Sequence, residues 1–263
     1  MSSIFKKFNF NKLYIDCIDE DGNCFIFYWA VLNWGILKIN YSSVIHSSHV
    51  GRTKETTTFR KQVFPKIEDE FSFHNKKLKL HGEVNLLSPS IYEKLLNDDG
   101  KTIDWHCHHP KTNLQFSYNN NNYSGYGYCE TISMTAKPWE LPIIELRWGR
   151  YLSKQNTIIW IEWIGEKPIN YLFHNENKYE DAQINEQCIV FNKGVNKLEF
   201  ESPDIIRNNK LSSILKKFPF LKIFFNKKIL NTNELKLKSK TTFRLNNIEV
   251  DQGWSLYEFV KWK

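Results

Sequence analysis

The chain of 263 residues and 31.4 kDa is 41% hydrophobic and 15% aromatic with only 8 Pro and 11 Gly, which excludes a disordered chain and allows one large β domain or two smaller ones. The formal net charge of +7 has one source, because residues 205–240 carry ten Lys or Arg against a single acid, Glu234, and the rest of the chain is close to neutral. Five widely spaced cysteines without a CxxC pair exclude a zinc ribbon and suit free thiols in a reducing compartment; with no secretion-signal core and no run of membrane-spanning length, a soluble cytoplasmic protein is expected.

Along the chain, Asp19-Glu-Asp-Gly22 has the chemistry of a tight turn, and Phe25–Ser43 reads as two strands joined around Asn33–Gly35. Further strands are expected at 56–63, 71–74, 77–86, 103–106, 114–118, 126–135, 157–164, 169–173, 184–191, 196–200, 234–245 and 255–261. Helix signals are few: Ser88-Pro89 opening a short turn through Leu96, stopped at Asn97-Asp-Asp-Gly100, and an apolar stripe from Leu211 to Lys217. Many short strands between turn signals predict an all-β protein of antiparallel sandwiches or barrels with one or two short helices. The Asn119–Asn122 run reads as a loop, so the expected division is a β domain over 12–118 and a second over 123–263.

The stretch from Gly125 to Glu162 places an acid on an aromatic strand face. Read with period two, Tyr126, Tyr128, Glu130, Ile132 and Met134 point one way. Burying an ionised carboxylate without a partner is costly, so Glu130 should be paired, protonated or functional. Glu162 beside Ile158, Trp160 and Ile164, and Glu258 beside Trp254, Leu256, Val260 and Trp262, repeat the pattern. The structural reading pairs each acid with an arginine, Arg147, Arg150 or Arg244. In the functional reading the acid keeps its proton for a substrate carbon or oxygen, and aromatic walls stabilise a cationic intermediate. A direct Arg147 pair would instead make Glu130 an orienting group.

Gly-Tyr-Gly-Tyr-Cys-Glu130, then Lys-Pro-Trp-Glu-Leu-Pro142 and Leu-Arg-Trp-Gly-Arg150, resembles the carotenoid 1,2-hydratase (hydroxyneurosporene synthase) and AttH-like lipocalin-type superfamily. Asp-Gly-Asn-Cys-Phe-Ile-Phe-Tyr28, Asp-Trp-His-Cys107 and the Gly-Trp-Ser-Leu-Tyr-Glu-Phe-Val-Lys-Trp262 terminus agree with it. The resemblance implies two packed lipocalin-like β-barrels with a hydrophobic ligand pocket, and a hydratase, isomerase or cyclase that needs no cofactor or metal. Family members commonly continue past the acid with His, Asn, Trp and Gly, whereas here Glu130 is followed by Thr131, Ile132 and Ser133, which implies a changed substrate or reaction.

The candidate catalytic set is therefore Glu130 with Arg147 and His106, in an aromatic environment of Trp29, Trp34, Tyr126, Tyr128, Trp139, Trp148 and Trp160. The substrate expected is a hydrophobic isoprenoid, polyene or polyketide-like molecule; the rival reading is a non-catalytic carrier of such a molecule. Trp105-His106-Cys107-His108-His109 offers His-x-His and a thiol, but without a fourth ligand at recognisable spacing no metal is expected. The basic 207–240 segment carries no nucleic-acid motif; a peripheral membrane-surface contact is its functional reading, and a packed connection with solvated lysines its structural one.

Overall fold

The computed structural model describes residues 7–210, 212 and 230–262. The chain divides into two compact units, Met1–Lys137 and Pro138–Lys263. Unit 1 is a curled antiparallel sheet of β1 (Phe8–Ile18), β2 (Cys24–Trp34), β3 (Leu37–Ser47), β4 (Thr53–Thr58), β5 (Glu70–Asn75), β6 (Leu80–Leu86), β7 (Ile91–Asp98), β8 (Lys101–Tyr118) and β9 (Asn121–Met134). Unit 2 is a second such sheet of β10 (Ile143–Leu152), β11 (Thr157–Gly165), β12 (Ile169–His174), β13 (Asn177–Tyr179), β14 (Gln183–Ile184), β15 (Cys188–Phe191), β16 (Asn196–Lys210), β17 (Asn233–Leu245) and β18 (Ile248–Lys261). Short one-turn 3-10 segments lie at Lys76–Leu78 and Pro138–Glu140.

The two sheets follow one path. In unit 1 the order is β4-β3-β2-β1-β9-β8-β6-β5, with β7 also on β8; in unit 2 it is β13-β12-β11-β10-β18-β17-β16-β15-β14. In each, a meander returns its last strand to its first, so β9 closes on β1 and β18 on β10. This curling gives each sheet an inner face for its own core. Leu13, Ile15, Phe25, Phe27, Trp29 and Cys129 belong to the core of unit 1, and Tyr151, Trp160, Leu198, Leu237, Tyr257 and Phe259 to that of unit 2.

Several expectations are corrected. The Asn119–Asn122 run is no domain boundary: Asn119 and Asn120, at φ of 51° and 69°, form the two-residue turn of the β8–β9 hairpin, and β9 pairs with both β8 and β1. Two left-handed residues supply the twist that a tight hairpin needs, and Asn tolerates that region. The unit boundary falls instead between Lys137 and Pro138. The turn through Leu96 is strand β7, and the supposed helix stop is the Asp99-Gly100 turn of the β7–β8 hairpin, again with both residues at positive φ. The segments 103–106 and 114–118 are one strand, β8, whose register shifts at Cys107–Thr112 absorb Pro110. The Leu211–Lys217 stripe falls, Ser212 apart, outside the described residues.

Candidate acid site in unit 1

Period-two alternation on β1, β8 and β9 sends Leu13, Ile15 and Cys129 to the core and turns Tyr14, Asp16, Cys107, Tyr128 and Glu130 to the opposite face. That face is buried as well, with Glu130 only 2% exposed. In the ladder Glu130 stands between Tyr14 on β1 and Cys107 on β8. The glycines of the Gly-Tyr-Gly-Tyr motif let β1 approach this closely, since a Cβ on Gly127 would lie 2.5 Å from the Asp16 carbonyl oxygen and one on Gly125 2.5 Å from that of Ile18.

One oxygen of Glu130 is saturated. The Trp105 indole N–H donates to Oε2 at 2.5 Å and the Tyr128 hydroxyl donates to the same atom at 2.7 Å. The other oxygen, Oε1, faces the Lys12 ammonium at 3.7 Å, too long for a hydrogen bond but a close charge. Burial pushes the Tyr128 phenol well above its ordinary value, with the Cys107 thiol and Glu130 adding to it, so Tyr128 serves as a donor. Burial likewise pushes the Cys107 thiol well up, which leaves it an inert neighbour. Tyr14 meets Tyr128 and Tyr28 edge to face, at 6.0 and 5.4 Å between ring centroids.

The remaining predicted residues do not form one group around Glu130. His106 faces the core side of the sheet, opposite to Glu130, because its ladder partner is Thr131 and not the acid. Its ring lies tilted against that of His108, 3.8 Å between centroids, and burial lowers both imidazoles, His108 to about 4, with the neighbouring histidines contributing to His108. Cys107 lies on the other face, so His-x-His and the thiol do not converge as metal ligands.

Arg147 belongs to unit 2, where its guanidinium bonds Glu145 at 2.8 Å and the Ile184 carbonyl and lies 3.1 Å from the Glu162 carboxylate as an ion pair. The cation beside Glu130 in unit 1 is Lys12. Trp29 and Trp160 are core residues, Trp34 packs on Phe8 at the strand end, and Trp139 is half-buried in a 3-10 turn. Tyr126 shares the face of Glu130 but is 36% exposed, under the Lys111 ammonium at 4.6 Å. An open groove of about 610 Å³ in unit 1 lies elsewhere, lined by His81, Glu83, Gln115, Ser117, Asn122 and Tyr123 among others.

The other two acids are ion-paired, as the structural reading expects, Glu162 with one of the arginines foreseen and Glu258 with a lysine instead. Glu162 takes Arg147, although burial outweighs the guanidinium and holds its carboxyl above the usual range. Glu258 takes Lys236, and Arg244 goes to Glu199. Arg150 donates to the Trp254 carbonyl at 2.9 Å. Glu258 occupies in unit 2 the place of Glu130 in unit 1: last strand, face away from the core, opposite an aromatic of the first strand, Trp148 in place of Tyr14. Lys236 replaces Cys107 there and neutralises the acid. Arg207, Lys236 and Lys238 are buried and paired with Glu234, Glu258 and Asp204, so these members of the basic segment are no solvated patch.

Fold and site together define a two-unit, all-β, lipocalin-like protein with one buried acid cluster in its first unit. No protein-family model and no curated protein matches the sequence. Among solved structures, CghA is similar over 97% of this chain and 89% of its own, at 9% identity and a TM-score of 0.59. An AttH-like protein of Nitrosomonas europaea is similar over 95% and 92%, at 6% identity and a TM-score of 0.55. CghA with Sch210972 is similar over 97% and 89%, at 8% identity and a TM-score of 0.55. Identities this low carry the fold alone. No helix among the described residues is long and apolar enough to cross a membrane.

Trp105, Tyr14, Lys12 and Asp16 escaped the sequence reading. Trp105 and Cys107 alternate onto one face, which period two shows, but their position beside Glu130 depends on cross-strand register. Tyr14-x-Asp16 repeats the aromatic-x-acid spacing of Tyr128-x-Glu130, and that signal was present.

Proposed function

We propose that the chain is an enzyme, a cofactor-independent hydratase, isomerase or cyclase of a hydrophobic isoprenoid, polyene or polyketide-like substrate, with Glu130 as its proton donor or polarising group. The observation that carries this reading is the asymmetry of the carboxyl. Trp105 and Tyr128 both donate to Oε2 while the Lys12 ammonium lies on the side of Oε1, and burial favours the protonated acid, which then has a proton to deliver. Lys12 beside Oε1 then steadies the carboxylate left behind. Electron-rich Tyr14 and Tyr128 rings on the same face suit a cationic carbon formed by protonating a C=C bond. CghA, a protein of the same fold, is known together with the small molecule Sch210972, which supports ligand binding by this architecture.

The test is a panel of acyclic isoprenoid polyenes and unsaturated polyketide-like compounds, incubated with wild-type protein and Glu130→Gln and followed by mass spectrometry. Turnover by the wild type that falls at least about 100-fold in the variant supports the reading. Binding of panel members without conversion by either protein would instead make the chain a carrier.

A further inference from the structure

Of the 29 acidic residues in the sequence, only Asp16 and Glu130 are buried among the described residues, and they are neighbours. Asp16 lies on β1, 0% exposed, two residues beyond Tyr14 and directly opposite Tyr128 in the β1–β9 ladder. It is therefore the diagonal neighbour of Glu130 on one sheet face, a spacing of about 7–8 Å between backbones. Tyr128, opposite Asp16 in the ladder, bonds Glu130 through its hydroxyl. Two acids drawn independently into a protein interior would rarely meet in this way, because each carries its own desolvation cost and like charges add to it.

We propose that Asp16 is the second proton-transfer group of this site, the base that removes a proton while Glu130 delivers one. The proposal rests on the reading of Glu130 as an acid, and it supplies what that reading lacks. In hydration of a C=C bond, the Glu130 proton forms a C–H bond at one carbon, the water oxygen bonds the other carbon, and the proton leaving that oxygen goes to the Asp16 carboxylate. In isomerisation or cyclisation, Asp16 takes the proton from a substrate carbon instead. Either way one proton enters and one leaves, and the cycle closes when Asp16 releases its proton and Glu130 takes one up. The charged and titratable groups facing the pair are Lys12 and Tyr14 on β1, Tyr128 on β9 with Tyr126 and Lys111 beyond it, Cys107 on β8, Glu93 on β7 opposite Trp105, and Tyr28 on β2. The thiols of both Cys107 and Cys129 sense the two carboxylates together.

The test begins without substrate. In full-length protein carrying 13C-labelled aspartate, infrared titrations separate the aspartate carboxyl stretches from that of Glu130, and Asp16 is the buried one among them. In Glu130→Gln the Asp16 step should move by about one pH unit or more, as for any pair that titrates together. An Asp16 step unmoved by that substitution would overturn the coupling, whether or not any Asp16 variant folds. The second arm uses a polyene from the panel that the wild type converts. Asp16→Asn should lower its turnover at least about 100-fold, with partial recovery in Asp16→Glu. If Glu130→Gln abolishes conversion while a folded Asp16→Asn stays within about two-fold of wild type, Asp16 is not the base and the reading of Glu130 stands. If Glu130→Gln converts the polyene at the wild-type rate, both assignments fall.

Discussion

Replacing Lys236 with Met separates the ion pair of unit 2 from the acid site of unit 1. Lys236 is 1% exposed; its ammonium bonds Glu258, stands 3.6 Å from Glu234, and lies 5.9 Å from the Trp148 ring centre. Met fills nearly the same volume, so the packing loss is small and the change is chiefly electrostatic. Breaking one side of a buried pair costs about 3–5 kcal/mol, because the remaining charge is left desolvated. Two features favour the lower end: the Glu258 and Glu234 side chains keep 16% and 19% exposure, and Glu234 retains Arg207 at 3.2 Å. The expected loss is therefore about 3 kcal/mol in urea unfolding followed by circular dichroism. Adding Glu258→Gln removes the stranded carboxylate and should restore at least about half of that loss, a coupling read from the double-mutant cycle. A Lys236→Met protein as stable as wild type, or a double variant no better than the single, would refute the account of Glu258 as a structural acid.

Other expectations follow from the same geometry. Gly127→Ala should destabilise by about 1–3 kcal/mol in urea unfolding, since its Cβ would meet the Asp16 carbonyl at 2.5 Å; a loss below about 0.5 kcal/mol would contradict the close approach of β1 and β9. His108 binds its proton in the folded chain only near pH 4, against 6.5 for the free side chain, so the unfolded state is the better proton acceptor between these values. Stability attached to it is present above pH 6.5 and lost as pH falls towards 4. His108→Gln should flatten the pH dependence of the thermal midpoint in that window, and an unchanged slope would remove the histidine from the explanation. Trp105→Phe keeps an aromatic ring, though a smaller one, and removes a donor to Glu130, so conversion of a polyene substrate should fall about 10-fold or more while the fold is retained.

How far the sequence led is clearest at individual residues. Alternation put Tyr128 and Glu130 on one face and out of water, because period two is a property of the single strand. The strand-rich composition and frequent turns gave the all-β architecture for the same local reason. The central strands β1 and β10 were missed, since both carry apolar residues on two faces and lack clean alternation. The Asn119–Asn120 turn resembled a linker because asparagine serves both hairpin turns and loops. Partners were least legible: Arg147 follows Glu130 closely in sequence but pairs with Glu145 and Glu162 in the other unit, and His106 alternates onto the core side. Cross-strand register decides these contacts, and a sequence read strand by strand does not contain it.

The most direct test of the central claim is solvent-proton transfer. Wild-type protein and Glu130→Gln, each confirmed to be folded, are given in D2O a polyene that the wild type converts, and deuterium in the product carbon skeleton is measured by mass spectrometry. The account predicts deuterium at the newly protonated carbon with the wild type and at least about 100-fold slower incorporation with the variant. Equal incorporation rates in the two proteins would show that the proton comes from another group.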